Sequence, residues 1–115
     1  EIFNRIYKVH KELKENEGRT PGCPFLNLGN ELATDNESIR LKVERIFEGF
    51  SGYHQRIYED AKAQGLTQAD WPPELMGRQV QGVLNGAMAS AKIRNRPEEI
   101  LDALITAKTV MGINM

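Results

Sequence analysis

The sequence predicts an all-α domain of five helices. Three observations lead there. Apolar residues recur at spacings of three and four along most of the 115 residues. Clusters that break or cap helices divide these runs at 17–22, 34–37, 65–73 and 94–97. No run alternates apolar and polar in the manner of a strand, and neither a repeat nor a low-complexity tract is present.

The first helix is expected over residues 2–15. Ile2, Ile6, Val9 and Leu13 make one line and Phe3, Tyr7 and His10 a second, so the buried face is wide. It enters without a cap, which reads as a helix already under way and the chain as a piece of a longer protein. Glu17 to Gly22 break it. A short second helix follows, ending near Thr34, with Pro24 at its first position and Cys23 at or near the N-cap.

Thr34-Asp35-Asn36-Glu37 offers several caps, a Thr-x-x-Glu capping box among them, for a long third helix reaching about Gln64. Its apolar line is Ile39, Val43, Ile46, Phe50, Tyr53, Ile57 and Ala61, flanked by Phe47, His54 and Tyr58. Gly49 and Gly52 in its middle either weaken it or admit a close neighbour. Gly65 ends it. After a loop, Pro73 opens the fourth helix, whose stripe Met76, Val80, Val83, Ala87 and Ala91 suits a core.

Beside that stripe runs a second with little side-chain bulk: Gly82, Gly86, Ala89 and Ile93. Two glycines a turn apart cost a helix about 1 kcal/mol each, and close packing by another helix is the usual compensation. The break Arg94-Asn95-Arg96-Pro97 leads to the fifth helix, opening with Pro97-Glu98-Glu99. It carries Ile100, Leu104, Ala107 and Met111 on one stripe and Leu101, Ile105 and Lys108 on the next. Together the last two helices have more apolar surface than one small domain covers, so Gly82, Gly86, Ala89, Ile93, Leu101, Ile105 and Lys108 are the expected surface of a homodimer.

Several function classes are excluded by the totals. With 15 basic and 16 acidic residues the net charge is −1, whereas a DNA-reading domain shows a basic face. One cysteine cannot make an internal disulfide, so nothing points to secretion. No apolar run approaches the roughly 18 residues that span a bilayer. A cytoplasmic protein without membrane contact is expected. Ser38, Ser51 and Ser90 lack histidine–acid partners and there is no phosphate-cradling glycine loop, so neither an enzyme nor a cofactor is expected. His10 and His54 can meet across the first and third helices, but no metal-ligand spacing accompanies them.

In order along the chain stand GCPFLNLGNEL, TDNESIR, GLTQADWPPEL, GVLNGAMASAK and RNRPEEIL. Their order and spacing resemble the C-terminal regulatory domain of tetracycline-repressor (TetR) family transcription factors, over essentially the whole chain. Gly49 and Gly52 depart from that pattern, as does Trp71-Pro72-Pro73 in place of a plainer Asp-Pro-Glu cap. The resemblance implies an N-terminal helix-turn-helix domain absent from this chain, through which alone DNA would be bound. It also implies that the last two helices pair with their two-fold mates into an intermolecular four-helix bundle. An effector pocket is implied among the first, third and fourth helices.

Phe3, Tyr7, His10, Phe47, Phe50, His54, Tyr58 and Trp71 either pack a plain core or line a cavity for a small, largely apolar effector. Gln79, Asn85 and Met88 are candidate contacts from the fourth helix. Cys23, at a helix N-terminus with Arg19 near in sequence, is either a buried helix-start residue or an oxidant or electrophile sensor, with Lys92 as its companion. A stand-alone helical dimerisation module is the remaining alternative.

Overall fold

The computed structural model of the protein describes residues 1–113. Five helices account for most of them: α1 (Ile2–Glu17), α2 (Pro24–Leu32), α3 (Glu37–Ala63), α4 (Pro73–Arg94) and α5 (Glu98–Met111). No strand occurs among the described residues. Each boundary has a local cause. Gly18 adopts φ 78° and turns its N–H to the Lys14 carbonyl, closing α1 two residues beyond the expected end. Cys23 is extended and Pro24 takes the first position of α2. Pro73 likewise opens α4, while Pro97 stands just outside α5 rather than within it.

The cap of α3 differs from the capping box expected at Thr34. Asp35 and Asn36 still donate their N–H groups to the Leu32 carbonyl, so Thr34 belongs to the turn that closes α2. Asn36 is the first extended residue, and its Oδ1 accepts from the Ile39 N–H at 3.0 Å. Glu37 pairs with Arg40 instead of reaching back. At the other end Gly65, at φ 72°, lets the Leu66 N–H reach the Ala61 carbonyl at 2.8 Å. Neither Gly49 nor Gly52 interrupts α3, and neither admits a neighbouring helix. A Cβ at Gly49 would meet nothing within 4 Å, and one at Gly52 only the Arg56 guanidinium.

The close approach that fixes the helices lies at Gly77. A Cβ there would land on the Ser51 carbonyl oxygen and press on Gln55, so α4 crosses α3 with no room for a side chain. That crossing rotates α3 relative to the expected apolar line. His54, Tyr58 and Ala61 are buried, while Phe50, Tyr53 and Ile57 are 36–38% exposed. The core is then built from Tyr58, Met76, Val80, Leu84, Met88, Ala91, Ile100, Ala103, Ala107 and Met111, with Phe3 of α1 added. α4 lies between α3 and α5, α1 packs on α5, and α2 packs on α3.

The loop between α3 and α4 is held by backbone-directed bonds. The fully buried Tyr58 places its hydroxyl 3.0 Å from the Ala69 carbonyl and 3.1 Å from the Trp71 N–H. Thr67 donates to the Met111 carbonyl at 2.6 Å and accepts from the Ala69 N–H. At the opposite end of the bundle the Asn95 amide, in left-handed backbone at φ 54°, donates to the Gly18 carbonyl at 3.0 Å. The Cα atoms fill a slab of 42 × 36 × 16 Å.

Candidate effector cavity

A cavity of about 620 Å³ opens between α1, α3, α4 and the start of α2. α1 contributes Ile2, Ile6, Val9 and His10; the N-terminal end of α2 contributes Cys23 and Phe25. α3 supplies Gly49, Phe50, Tyr53 and His54, and α4 supplies Gln81, Leu84, Asn85 and Met88. Aromatic rings form much of the wall. Tyr53 meets the His54 ring edge-on at 5.7 Å, and Phe50 lies 6.2 Å from Phe25. Gly49, bare on the cavity side, leaves space where any other residue would fill it.

Polar groups are few and ordered. His54 is buried, and its Nε2 lies 2.8 Å from Gln81 Oε1. An amide oxygen only accepts, so the ring proton sits on Nε2. Burial pushes the imidazole below the ordinary histidine range, and the bond to Gln81 opposes this in part, so the ring is neutral at pH 7. Gln81 passes the chain on, donating from Nε2 to Asn85 Oδ1 at 2.8 Å. The Asn85 amide nitrogen, on a residue that borders both this cavity and the groove beside it, makes no hydrogen bond to another described residue. His10 faces the Ile6 carbonyl at 2.8 Å and the Gly22 carbonyl at 3.3 Å, which ties α1 to the segment ahead of α2.

A family model described as the tetracyclin repressor-like C-terminal domain matches residues 4–107. The chain belongs to this tetracycline repressor-like family. No curated protein and no solved structure matches it. No helix among the described residues of this repressor-like domain is long and apolar enough to cross a membrane.

Of the residues singled out in the sequence, His10, Phe50 and His54 come together on the cavity wall of the repressor-like domain, as do Asn85 and Met88. The others are distributed elsewhere. Phe3 is in the core, 6.2 Å from the His54 ring and behind it. Tyr7 packs half-buried against the core. Tyr58 is wholly internal, with its hydroxyl committed to the loop. Trp71 is 42% exposed on that loop, and Gln79 faces solvent.

Phe47 borders a second, more polar groove between α2, α3 and α4. Cys23 is half-buried on the cavity, and the stem of Lys92 lies over the neighbouring Gly22. No group of three or more metal-binding side chains occurs among the described residues.

Sequence reasoning passed over Gln81 in favour of Gln79. Two positions along a helix turn the side chain by about 200°, so one glutamine points to α3 and the other to water. The usable signal was a lone amide on the apolar face between Val80 and Leu84, which needs a buried partner. Leu84, Tyr53, Arg5 and Arg56 carried no comparable mark.

On the expected dimer surface, Gly82 and Gly86 are exposed, and a Cβ at either would meet nothing within 4 Å. Ile93 and Ile105 are 82% and 68% exposed. Ala89, Leu101 and Lys108 are half-buried at the flanks.

Proposed function

We propose that this chain is the effector-sensing and dimerisation part of a TetR-like transcriptional regulator, a cytoplasmic homodimer and not an enzyme. Its single domain controls a helix-turn-helix head that is not part of this chain. A small, largely apolar molecule occupies the cavity among α1, α3 and α4. The observation that carries the reading is that cavity: about 620 Å³, walled by aromatic and aliphatic side chains with a short amide–imidazole chain. Small-molecule sites have this size and this balance of apolar wall to placed polar groups. The uncovered small-residue face of α4 and the exposed isoleucines of α4 and α5 support the homodimer.

The mechanism is a population shift. A ligand that binds one arrangement of α1 against α3 and α4 better than another changes the separation of the two heads. Heads that must engage half-sites about one DNA turn apart lose the operator when that separation changes, which is repression relieved by effector.

A melting-temperature panel of apolar compounds tests this. Some members are expected to raise the melting temperature of the natural chain but not of Gly49→Leu, which fills the cavity from an open position. A dimer that no compound stabilises is a stand-alone interaction module instead. One observation favours a second trigger: Cys23 lines the same cavity. A hydroperoxide entering there would convert the thiol to sulfenic acid and leave as the alcohol. Cys23→Ser would then abolish a peroxide response while leaving compound binding intact.

A further inference from the structure

The cavity is biased in charge, and the bias specifies a ligand. We propose that the effector is an amphiphilic anion, an apolar body bearing a carboxylate that is held at the exposed edge of the cavity by Arg5 and Arg56. This rests on the cavity being the effector site. Among the described residues the charged side chains on its wall are those two arginines, one from α1 and one from α3, and no aspartate or glutamate joins them.

In a chain with one more acid than base, that segregation is specific to the place. The neighbouring groove between α2, α3 and α4 mixes Glu44, Glu48 and Glu74 with Arg40 and Arg78. Arg56 has no carboxylate partner among the described residues; its guanidinium lies over Gly52, at the border with the neighbouring groove, and a change of rotamer would bring it to a guest in the cavity. Arg5 pairs only with Glu1, both strongly exposed, a bond that an incoming carboxylate readily replaces.

Further in, the wall also offers donors. The His54 N–H is spent on Gln81, and the chain ends in the free N–H groups of Asn85. A guanidinium fork matches a carboxylate, so either arginine could take one up, while an ammonium at the same place would meet like charge.

The test compares three probes that share one apolar body, decanoate, decanol and decylamine, below micelle-forming concentrations. Binding to the full chain is followed by melting temperature and by calorimetry at low and high salt. Decanoate is expected to bind most tightly and decylamine least, with the acid's advantage shrinking as salt rises. Arg5→Gln and Arg56→Gln are each expected to weaken decanoate about fivefold, because the mouth is solvated, and to leave decanol unchanged. Both positions are exposed, so circular dichroism should show the helices intact. If decanol equals decanoate, or the two variants keep the acid's advantage, the anion inference is overturned and the apolar effector cavity stands. If none of the three binds, the anion inference is overturned, and the wider compound panel decides the effector cavity separately.

Discussion

Gly77 and Gly49 are both helical glycines, and opposite outcomes are expected from giving each a methyl group. At Gly77 the new carbon meets the Ser51 backbone, which cannot swing aside, so Gly77→Ala should destabilise the fold by about 1–3 kcal/mol. At Gly49 it meets nothing within 4 Å, so Gly49→Ala should stabilise by up to about 1 kcal/mol. In a protein of this size each kcal/mol moves the melting temperature by about 4 °C, so the pair is separable in one denaturation experiment.

His54 gives a prediction of another kind. Burial holds its ring below the ordinary value of 6.5 in the fold, so between that lowered value and 6.5 the unfolded chain binds more protons than the folded one. The stability linked to this ring is complete above about pH 6.5 and is lost as pH falls through the window beneath. His54→Gln keeps a partner for Gln81 without titrating, and its melting temperature should change less between pH 7.5 and about 5 than the natural chain's. Equal slopes would mean that other groups carry the dependence.

At the scale of the helix, the ends are set by single residues, and their contributions can be measured. Asn36→Ala removes the side-chain cap of the α3 backbone and should cost about 1 kcal/mol, whereas Thr34→Ala should be near neutral. Chemical denaturation of the two variants checks this. The existence and order of the five helices were legible because breaks such as Gly65 and Asn95 act locally, through backbone angles that few residues tolerate.

The inward face of α3 was not legible. Apolar residues cover a wide arc of that helix, and the side that becomes buried depends on where α4 crosses, which the contact of Gly77 with Ser51 decides. The same blindness affected the cavity. His10, Phe50 and His54 announce themselves as rings on apolar lines, but the choice between core and cavity for Phe3 and Tyr58 is made by neighbours far away in sequence.

For the molecule as a whole, shape is the informative property. A Cα radius of gyration of 15.0 Å exceeds the roughly 13.4 Å usual for this length, as follows from a slab only 16 Å through. Such a slab cannot cover both faces of its helices. The side of α4 bearing Gly82 and Gly86 is left open, and Ile93 and Ile105 project from the same helix pair. Gly86→Leu places a branched side chain on that surface without touching anything inside the chain. Its expected effect is loss of the dimer at micromolar concentration in analytical ultracentrifugation, with helicity and ligand binding retained. A variant that still sediments as a dimer would place the contact elsewhere.

The bond between the Asn95 amide and the Gly18 carbonyl has a mechanical consequence. It pins the C-terminal end of α1 to the corner where α4 turns into α5, while the cavity lies along the part of α1 nearer its start. In the proposed population shift a pivot of α1 would have its fulcrum at Gly18, and it would work against the packing of Phe3 in the core and the contact of His10 with the Gly22 carbonyl. His10 stands about 12 Å from that fulcrum and Ile2 about 24 Å, at 1.5 Å per residue. Any swing that leaves the Asn95 bond intact is magnified about twofold between those two points. In that mechanism a guest that pushed on α1 at His10 would move the amino-terminal end of the helix about twice as far as the wall it touched.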